Sequence, residues 1–280
     1  MVLGTKKISI QGESGSFHDI AARQLFGTEH IQLQRATFAE VFNDVQTKKA
    51  DLAIVAIENS SVGSINEVYD LLLKDEVKIV GELYMRISHN LIGIKGTKLT
   101  DIQTVYSHPM ALMQCEQFLD TKLTGAEVHE RHDTAESVEY VASLNDKSLA
   151  AIGSARAAKI HKLDIIASDI ETDKHNYTRF IVLSLQENLD KLADKTSIVI
   201  TAKNIPGALH KVLGVFSDRK INLSKIESRP IIGKGWNYYF YIDFETGLHT
   251  QAAADALEEL RKYTNSINIL GTYQKGKIIE

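Results

Sequence analysis

Residues 51–72 read DLAIVAIENSSVGSINEVYDLL. After Asp51, residues 52–57 form a continuous apolar run rich in branched side chains, which suits a parallel strand covered on both faces. Glu58, Asn59, Ser60 and Ser61 follow at its carboxyl end. Ser64 with Glu67 then reads as the capping box of a helix whose inner stripe is Ile65, Val68, Tyr69 and Leu72. The polar knot therefore occupies a strand-to-helix loop, where open parallel sheets bind ligands. Side chains of these types also satisfy loop backbone groups, and the pattern leaves both readings open.

The same design recurs on either side. KISIQ (7–11) leads into a Gly/Ser loop, and Ser16 caps a helix with Phe17, Ile20, Ala21 and Leu25 on its apolar face. Thr37 and Glu40 form a capping box ahead of Phe38, Val41, Phe42 and Val45, spaced i, i+3, i+4, i+7. TVYSHPMALMQCEQFL (104–119) is a strand ending at Ser107. A helix starts at Pro109, with Leu112, Cys115, Phe118 and Leu119 on its core stripe. HDTAESVEYVA (132–142) starts another helix near Asp133 or Thr134, and SLAAIGSARAAKI (148–160) gives one more strand, loop and helix. NYTRFIVLS (176–184) enters a strand with Thr178 and Arg179 at its head. Polar groups at so many element boundaries point to a cleft in an α/β region.

After SLQENLDKLADK (184–195) the texture changes. TSIVITA, PGALHKVLGVFSDRK, INLSKIESRPI, WNYYFYIDFE, TQAAADALEELRKYT and SINILGTY give the order βαββαβ of a ferredoxin-like α+β sandwich. Tyr238, Phe240, Ile242 and Phe244 alternate with Tyr239, Tyr241 and Asp243, as in a half-buried strand.

A length of 280 residues calls for more than one domain, and 44% hydrophobic with 24% charged residues is ordinary for a globular chain. The net charge of −4 comes without a dense basic block, so neither nucleic acid nor a membrane surface is an expected partner. The first residues lack the apolar core of a signal peptide, no segment approaches the length of a membrane span, and Cys115 stands alone. The chain reads as cytoplasmic, with Cys115 as apolar filler. HExxH, CxxC, GxSxG and Walker-type motifs are absent, and GESGSF departs from the dinucleotide loop. His129 and His132 read as a solvated boundary pair rather than metal ligands. What remains is a cleft of hydroxyls, amides, one or two carboxylates and Arg179, suited to an anionic small molecule. That describes either a binding protein or an enzyme without a cofactor.

GESGSFHDIAA (12–22), IENSSVGSINEVYDLL (57–72), SHPMALMQC (107–115) and NYTRF (176–180), in that order, resemble prephenate dehydratase, a phenylalanine-pathway enzyme with a C-terminal ACT regulatory domain. PGALH (206–210) and ESRP (227–230) extend the resemblance through the ACT domain. It departs at Ala56, where the family usually has proline, at Ser16, where threonine is commoner, and at Glu13, where many members have proline.

The resemblance implies a two-lobed, periplasmic-binding-protein-like (type II) catalytic domain over 1–185, a linker over 186–195 and an ACT domain over 196–280. The implied reaction is conversion of prephenate to phenylpyruvate, carbon dioxide and water, with no cofactor and no metal. Thr178 is implied to hydrogen-bond the departing hydroxyl, with Asn59, Ser107 and Gln114 at the substrate and Glu58 orienting Asn59 or a loop amide, or protonated. Ser16, Ser60, Arg179 and Phe180 are implied substrate contacts, Arg179 through bidentate pairing with a carboxylate or, instead, as a lobe-to-lobe ion pair. L-Phenylalanine is the implied effector, held by Gly207, Ala208 and Leu209 of PGALH and by Glu227, Ser228, Arg229 and Pro230 of ESRP. A homodimer or homotetramer through the ACT domains also follows from the resemblance. No additional helical domain precedes residue 6, so a fused mutase is not expected. Arogenate dehydratase and a catalytically silent amino-acid sensor are the rival readings.

Overall fold

The structure is a computed structural model that describes residues 6–187, 190–231, 233, 235 and 237–279. Residues 1–5 and Glu280 of the expected domains, Asn188 and Leu189 of the expected linker, and Trp236 at the head of an expected strand lie outside these.

The chain begins β1 (Lys7–Gln11), α1 (Phe17–Phe26), β2 (Ile31–Arg35), α2 (Phe38–Gln46), β3 (Leu52–Asn59), β4 (Gly63–Ser64), α3 (Asn66–Lys74) and β5 (Lys78–Arg86). A second lobe follows: β6 (Asn90–Gly93), β7 (Thr104–Ser107), α4 (Pro109–Gln114), α5 (Glu116–Lys122), β8 (Glu127–Glu130), α6 (Thr134–Leu144), β9 (Leu149–Gly153), α7 (Ala155–His161) and β10 (Asp164–Ala167). The chain returns through β11 (Tyr177–Ser184) and continues as β12 (Lys195–Ala202), α8 (Ala208–Asp218), β13 (Leu223–Pro230), β14 (Tyr238–Phe244), α9 (Gln251–Leu260), β15 (Thr264–Tyr273) and β16 (Ile278–Ile279).

The first sheet runs β16-β5-β11-β3-β1-β2, with β4 on β3, and β1 is parallel to β2 and β3. Insertion of the returning β11 between β5 and β3 is the strand order of a type II binding-protein lobe, and it brings residues 177–180 alongside 56–59. The second sheet runs β10-β6-β9-β7-β8, with β7 parallel to β8 and β9. Leu91, Val105, Leu112, Cys115, Leu119 and Ile152 fill its core. Of the described residues, Lys6–Lys74, Leu83–Phe180, Ile278 and Ile279 pack as one unit, and Asp75–Glu82 with those between Ile181 and Lys277 as another.

In the second unit the sheet order β13-β14-β12-β15 is antiparallel throughout. Helices α8 and α9 bring Val212, Phe216, Ala256 and Leu260 onto Ile198, Ile200, Ile242 and Phe244. This is the ferredoxin-like arrangement expected of an ACT domain. The alternation read on β14 holds at Phe240, Ile242 and Phe244 on its helix-facing side, while Tyr238 is exposed, and it fails on the other side. Tyr241 and Asp243 are buried as well, because that side carries a polar network. Lys195 Nζ lies 2.9 Å from Glu82 Oε2, while Ser197 Oγ donates to Asp243 Oδ1 at 2.5 Å.

Local expectations meet the structure unevenly. Thr37 and Glu40 form the anticipated capping box, and Ser16 Oγ accepts from Asp19 N at the start of α1. The buried side of α1, however, is His18, Asp19, Ala21 and Ala22, while Phe17, Ile20 and Leu25 are half-buried. Asp19 is buried because it gathers Gly15 N, Arg23, Gln32 and Arg156, and the bonds from Arg156, Gly15 and Arg23 outweigh burial to hold its carboxyl below the usual range. Ser64 is drawn into a bridge opposite Glu58, and α3 starts at Asn66. The one helix read from Pro109 through Leu119 becomes two, broken where Cys115 leaves helical geometry (φ −105°, ψ 9°).

Candidate active site

On β11, strand alternation decides which of the predicted residues reach the cleft. Thr178 and Phe180 of β11 and Ala56 and Asn59 of β3 line a cavity of about 220 Å³ in the first unit. Ser16, Phe17 and His18 reach it from the start of α1. The second lobe contributes His89, His108, Gln114, His132, Asp133 and Thr134.

At its centre is an amide–hydroxyl array. Asn59 Nδ2 donates to Asn176 Oδ1 at 2.7 Å and to Thr178 Oγ1 at 2.9 Å, which uses both of its hydrogens. Asn59 Oδ1 accepts from Ser61 N at 3.0 Å, Val62 N at 3.1 Å and Gln114 Nε2 at 3.3 Å. Gln114 Oε1 in turn lies 2.8 Å from His89 Nε2. The knot of residues 58–61 thus holds its own loop through Asn59 Oδ1, as the backbone-satisfying reading has it, and sends the Asn59 amide N–H groups to Asn176 and to Thr178, which lines the cavity.

Positive field comes from the backbone. Among the described residues lining the cavity there is no lysine or arginine, but α1 and α6 both begin there, capped by Ser16 and Asp133. A helix N-terminus presents roughly half a positive charge together with unpaired N–H groups, which favours carboxylates. Three of the lining histidines, His18, His89 and His108, are biased toward neutrality. Burial lowers His18 to about 3, and its Nε2 accepts from Ala56 N at 3.0 Å. Burial also lowers His89 and His108, and raises Asp133 despite its capping bonds to Ala135 and Glu136.

Four predicted residues lie off the cavity wall. Arg179 and Glu58 neighbour Thr178 and Asn59 along their strands and so face the other way, where Arg179 Nη1 donates to Glu58 Oε1 at 3.1 Å. Ser60 Oγ bridges strand backbones, accepting from Tyr177 N and donating to His175 O. Ser107 is fully buried and donates to Ile152 O at 2.7 Å. In the second unit, Gly207 caps α8 with φ 79° and is exposed, with Ala208 buried and Leu209 half-buried beside it. Glu227, Ser228, Arg229 and Pro230 alternate between half-buried and exposed along β13, and Lys225 Nζ pairs with Glu227 at 3.0 Å.

The sequence reading missed His18, His89 and His132 as cavity residues. His132 is exposed, as read, while also lining the cavity, with Nε2 3.1 Å from Ala36 O. His18 was legible only as the second residue after a cap, and His89 lies between two strands with no periodic signal.

A family model described as prephenate dehydratase matches residues 8–188, and one described as ACT domain matches residues 196–262. The bifunctional chorismate mutase/prephenate dehydratase of Aquifex aeolicus (strain VF5) is 36% identical over 274 residues, covering 98% of this chain and 75% of that protein. A solved prephenate dehydratase from Arthrobacter aurescens, in complex with L-Phe, superposes with a TM-score of 0.87 at 30% identity over 96% of this chain and 89% of that one. A solved structure described as GqqA, a novel type of quorum quenching acylase, gives a TM-score of 0.87 at 31% identity over 97% and 98%.

Proposed function

The chain belongs to the prephenate dehydratase family, and we propose that it converts prephenate to phenylpyruvate, carbon dioxide and water as a carbon–oxygen lyase of phenylalanine biosynthesis in the cytoplasm. The observation that carries this reading is the Asn59–Thr178 contact. Because Thr178 Oγ1 accepts from Asn59, its own hydrogen is left to point at the cavity, and the accepted bond stabilises negative charge on Oγ1 as that hydrogen is shared. In the reaction the ring carboxylate leaves as carbon dioxide, its bonding electrons enter the ring, and the C4–oxygen bond breaks. The departing hydroxyl takes a hydrogen bond from Thr178, leaves with the C4–oxygen electron pair at the hydroxide level and takes a proton from solvent to end as water, while aromatisation supplies the driving force. The helix N-termini of α1 and α6 receive the substrate carboxylates. Arg179, committed to Glu58, supports β3 and β11 from behind.

The second unit is proposed to bind L-phenylalanine through the PGALH turn and β13, and to pair with a second copy in a dimer or tetramer. Supporting this are the ACT match and an edge strand, β13, that carries Glu227 and Arg229. Regulation then requires phenylalanine to bind two conformations unequally.

An acylase reaction, suggested by the second solved neighbour, needs an activated nucleophile. Ser16 Oγ and Thr178 Oγ1 each accept a hydrogen bond, and among the described hydrogen bonds no base takes the hydrogen of either, which favours the dehydratase. The test is turnover of prephenate by the purified protein, read as phenylpyruvate absorbance in alkali, with and without phenylalanine. Arogenate and an acyl amide run in parallel. Phenylpyruvate formation suppressed by phenylalanine is the expected result. Turnover of arogenate alone changes the substrate, release of acyl acid alone replaces the reaction, and phenylalanine binding without any turnover makes the chain a sensor.

A further inference from the structure

The hydrogen-bond array at the cavity has a direction, and it can be read from its backbone end. Asn59 Oδ1 receives the N–H groups of Ser61 and Val62, which only donate, so that atom is the amide oxygen. The Gln114 atom facing it at 3.3 Å must then be nitrogen, and Gln114 turns its oxygen to His89 Nε2 at 2.8 Å. His89 Nε2 therefore carries a hydrogen. His89 Nδ1 is buried without a partner, which fits a bare lone pair there and leaves no reason for the other tautomer. Every donor points the same way, from His89 through Gln114 and Asn59 to Thr178.

The ring is held for this purpose from its other sides. Its backbone N–H donates to Glu171 Oε2 at 2.9 Å, and Glu171 is fixed in turn by Arg86 at 2.9 Å. Phe17 packs edge-on against the ring, with centroids 5.4 Å apart.

We propose that His89 is a positioning residue for the dehydration. Its Nε2 hydrogen holds Gln114 in the one amide orientation that lets Asn59 keep donating to Thr178. With Gln114 flipped, two amide oxygens would face one another at the present 3.3 Å, and Asn59 would be pushed from its backbone clamp. The inference rests on the dehydratase reading for its kinetic consequence, not for the tautomer.

Two measurements test it. Long-range 1H–15N spectra of the wild-type protein at neutral pH should show His89 as the Nε2–H tautomer; an Nδ1–H tautomer overturns the proposal whatever the substrate proves to be. In kinetics with prephenate, His89→Leu should lower kcat by about 10- to 100-fold with KM within about threefold, and His89→Gln, which keeps a donor at similar reach, should recover most of the loss. In a Gln114→Ala background, His89→Leu should then be silent, since the residue it acts through is gone. Multiplying effects in that double variant would overturn the positioning role. Absence of wild-type prephenate turnover would instead sink the dehydratase reading and leave the tautomer result standing.

Discussion

Arg179 Nη1 donates to Glu58 Oε1 at 3.1 Å, one residue along from the Asn59–Thr178 contact on each strand and on the opposite face of the sheet. The arginine side chain is 2% exposed and the glutamate 27%, so the pair is desolvated on one side only. Removing one partner should cost less than the 3–5 kcal/mol typical of a fully buried pair, about 1–3 kcal/mol. Glu58→Gln and Arg179→Met are therefore expected to lower stability in denaturant titrations while KM for prephenate stays within about threefold. A KM raised tenfold or more by Arg179→Met, with stability intact, would return Arg179 to the substrate.

Thr178→Val keeps the shape of the side chain and removes the hydroxyl, leaving an Asn59 hydrogen without its acceptor. Loss of a transition-state donor of this type costs roughly 10²–10³ in turnover. We expect kcat to fall by that factor in steady-state assays, with circular dichroism unchanged and with Thr178→Ser within about tenfold of wild type. Near-normal turnover by a folded Thr178→Val protein would remove Thr178 from the chemistry.

The difference between these two neighbours marks what was legible in the sequence. Element types and their order follow from local period and caps, which is why the boxes at Thr37 and the cap at Ser16 emerge as read. Site membership depends on which face of a strand a residue takes and on which strand lies beside it. The pairing of β11 with β3 joins residues more than a hundred positions apart, and nothing local to NYTRF encodes it. The resemblance supplied motifs but not facing, so Arg179, Glu58, Ser60 and Ser107 were grouped with Thr178 although each hydrogen-bonds elsewhere. His89 was invisible for a related reason. Its partners Gln114 and Glu171 come from separate segments, and a lone histidine between strands carries no periodic mark.

His18 makes stability depend on pH. It is buried and accepts the Ala56 N–H through Nε2, which places its folded value at about 3 against 6.5 for the exposed side chain. Between those values the unfolded chain binds the proton and the folded one does not, so stability rises with pH across this window and is fully present above 6.5. Each unit of pH is worth about 1.4 kcal/mol for one such group. From pH 7 to pH 5 the wild type should lose about 2 kcal/mol more than His18→Gln, whose side-chain oxygen still accepts from Ala56. Urea titrations of both proteins at the two pH values measure this, and parallel losses would show that His18 is not the group responsible.

The polar network of the second unit is the place where a single substitution should do most damage. Lys195 and Glu82 side chains are 1% and 0% exposed, with Nζ 2.9 Å from Glu82 Oε2 and 3.8 Å from Asp243 Oδ2. The Gly276 N–H also donates to Glu82 at 3.0 Å, so this carboxylate ties the segment before β5's midpoint to the chain after β15. Lys195→Met removes the cation that two buried carboxylates share, and the cost of such a break is about 3–5 kcal/mol. Replacing the pair together, as Lys195→Met with Glu82→Leu, removes one uncompensated charge and should recover a substantial part of the loss. Denaturant unfolding of the two variants beside wild type reads both effects. A Lys195→Met protein within about 1 kcal/mol of wild type would mean that other partners already compensate Glu82, and the network would then be a weak constraint on the fold.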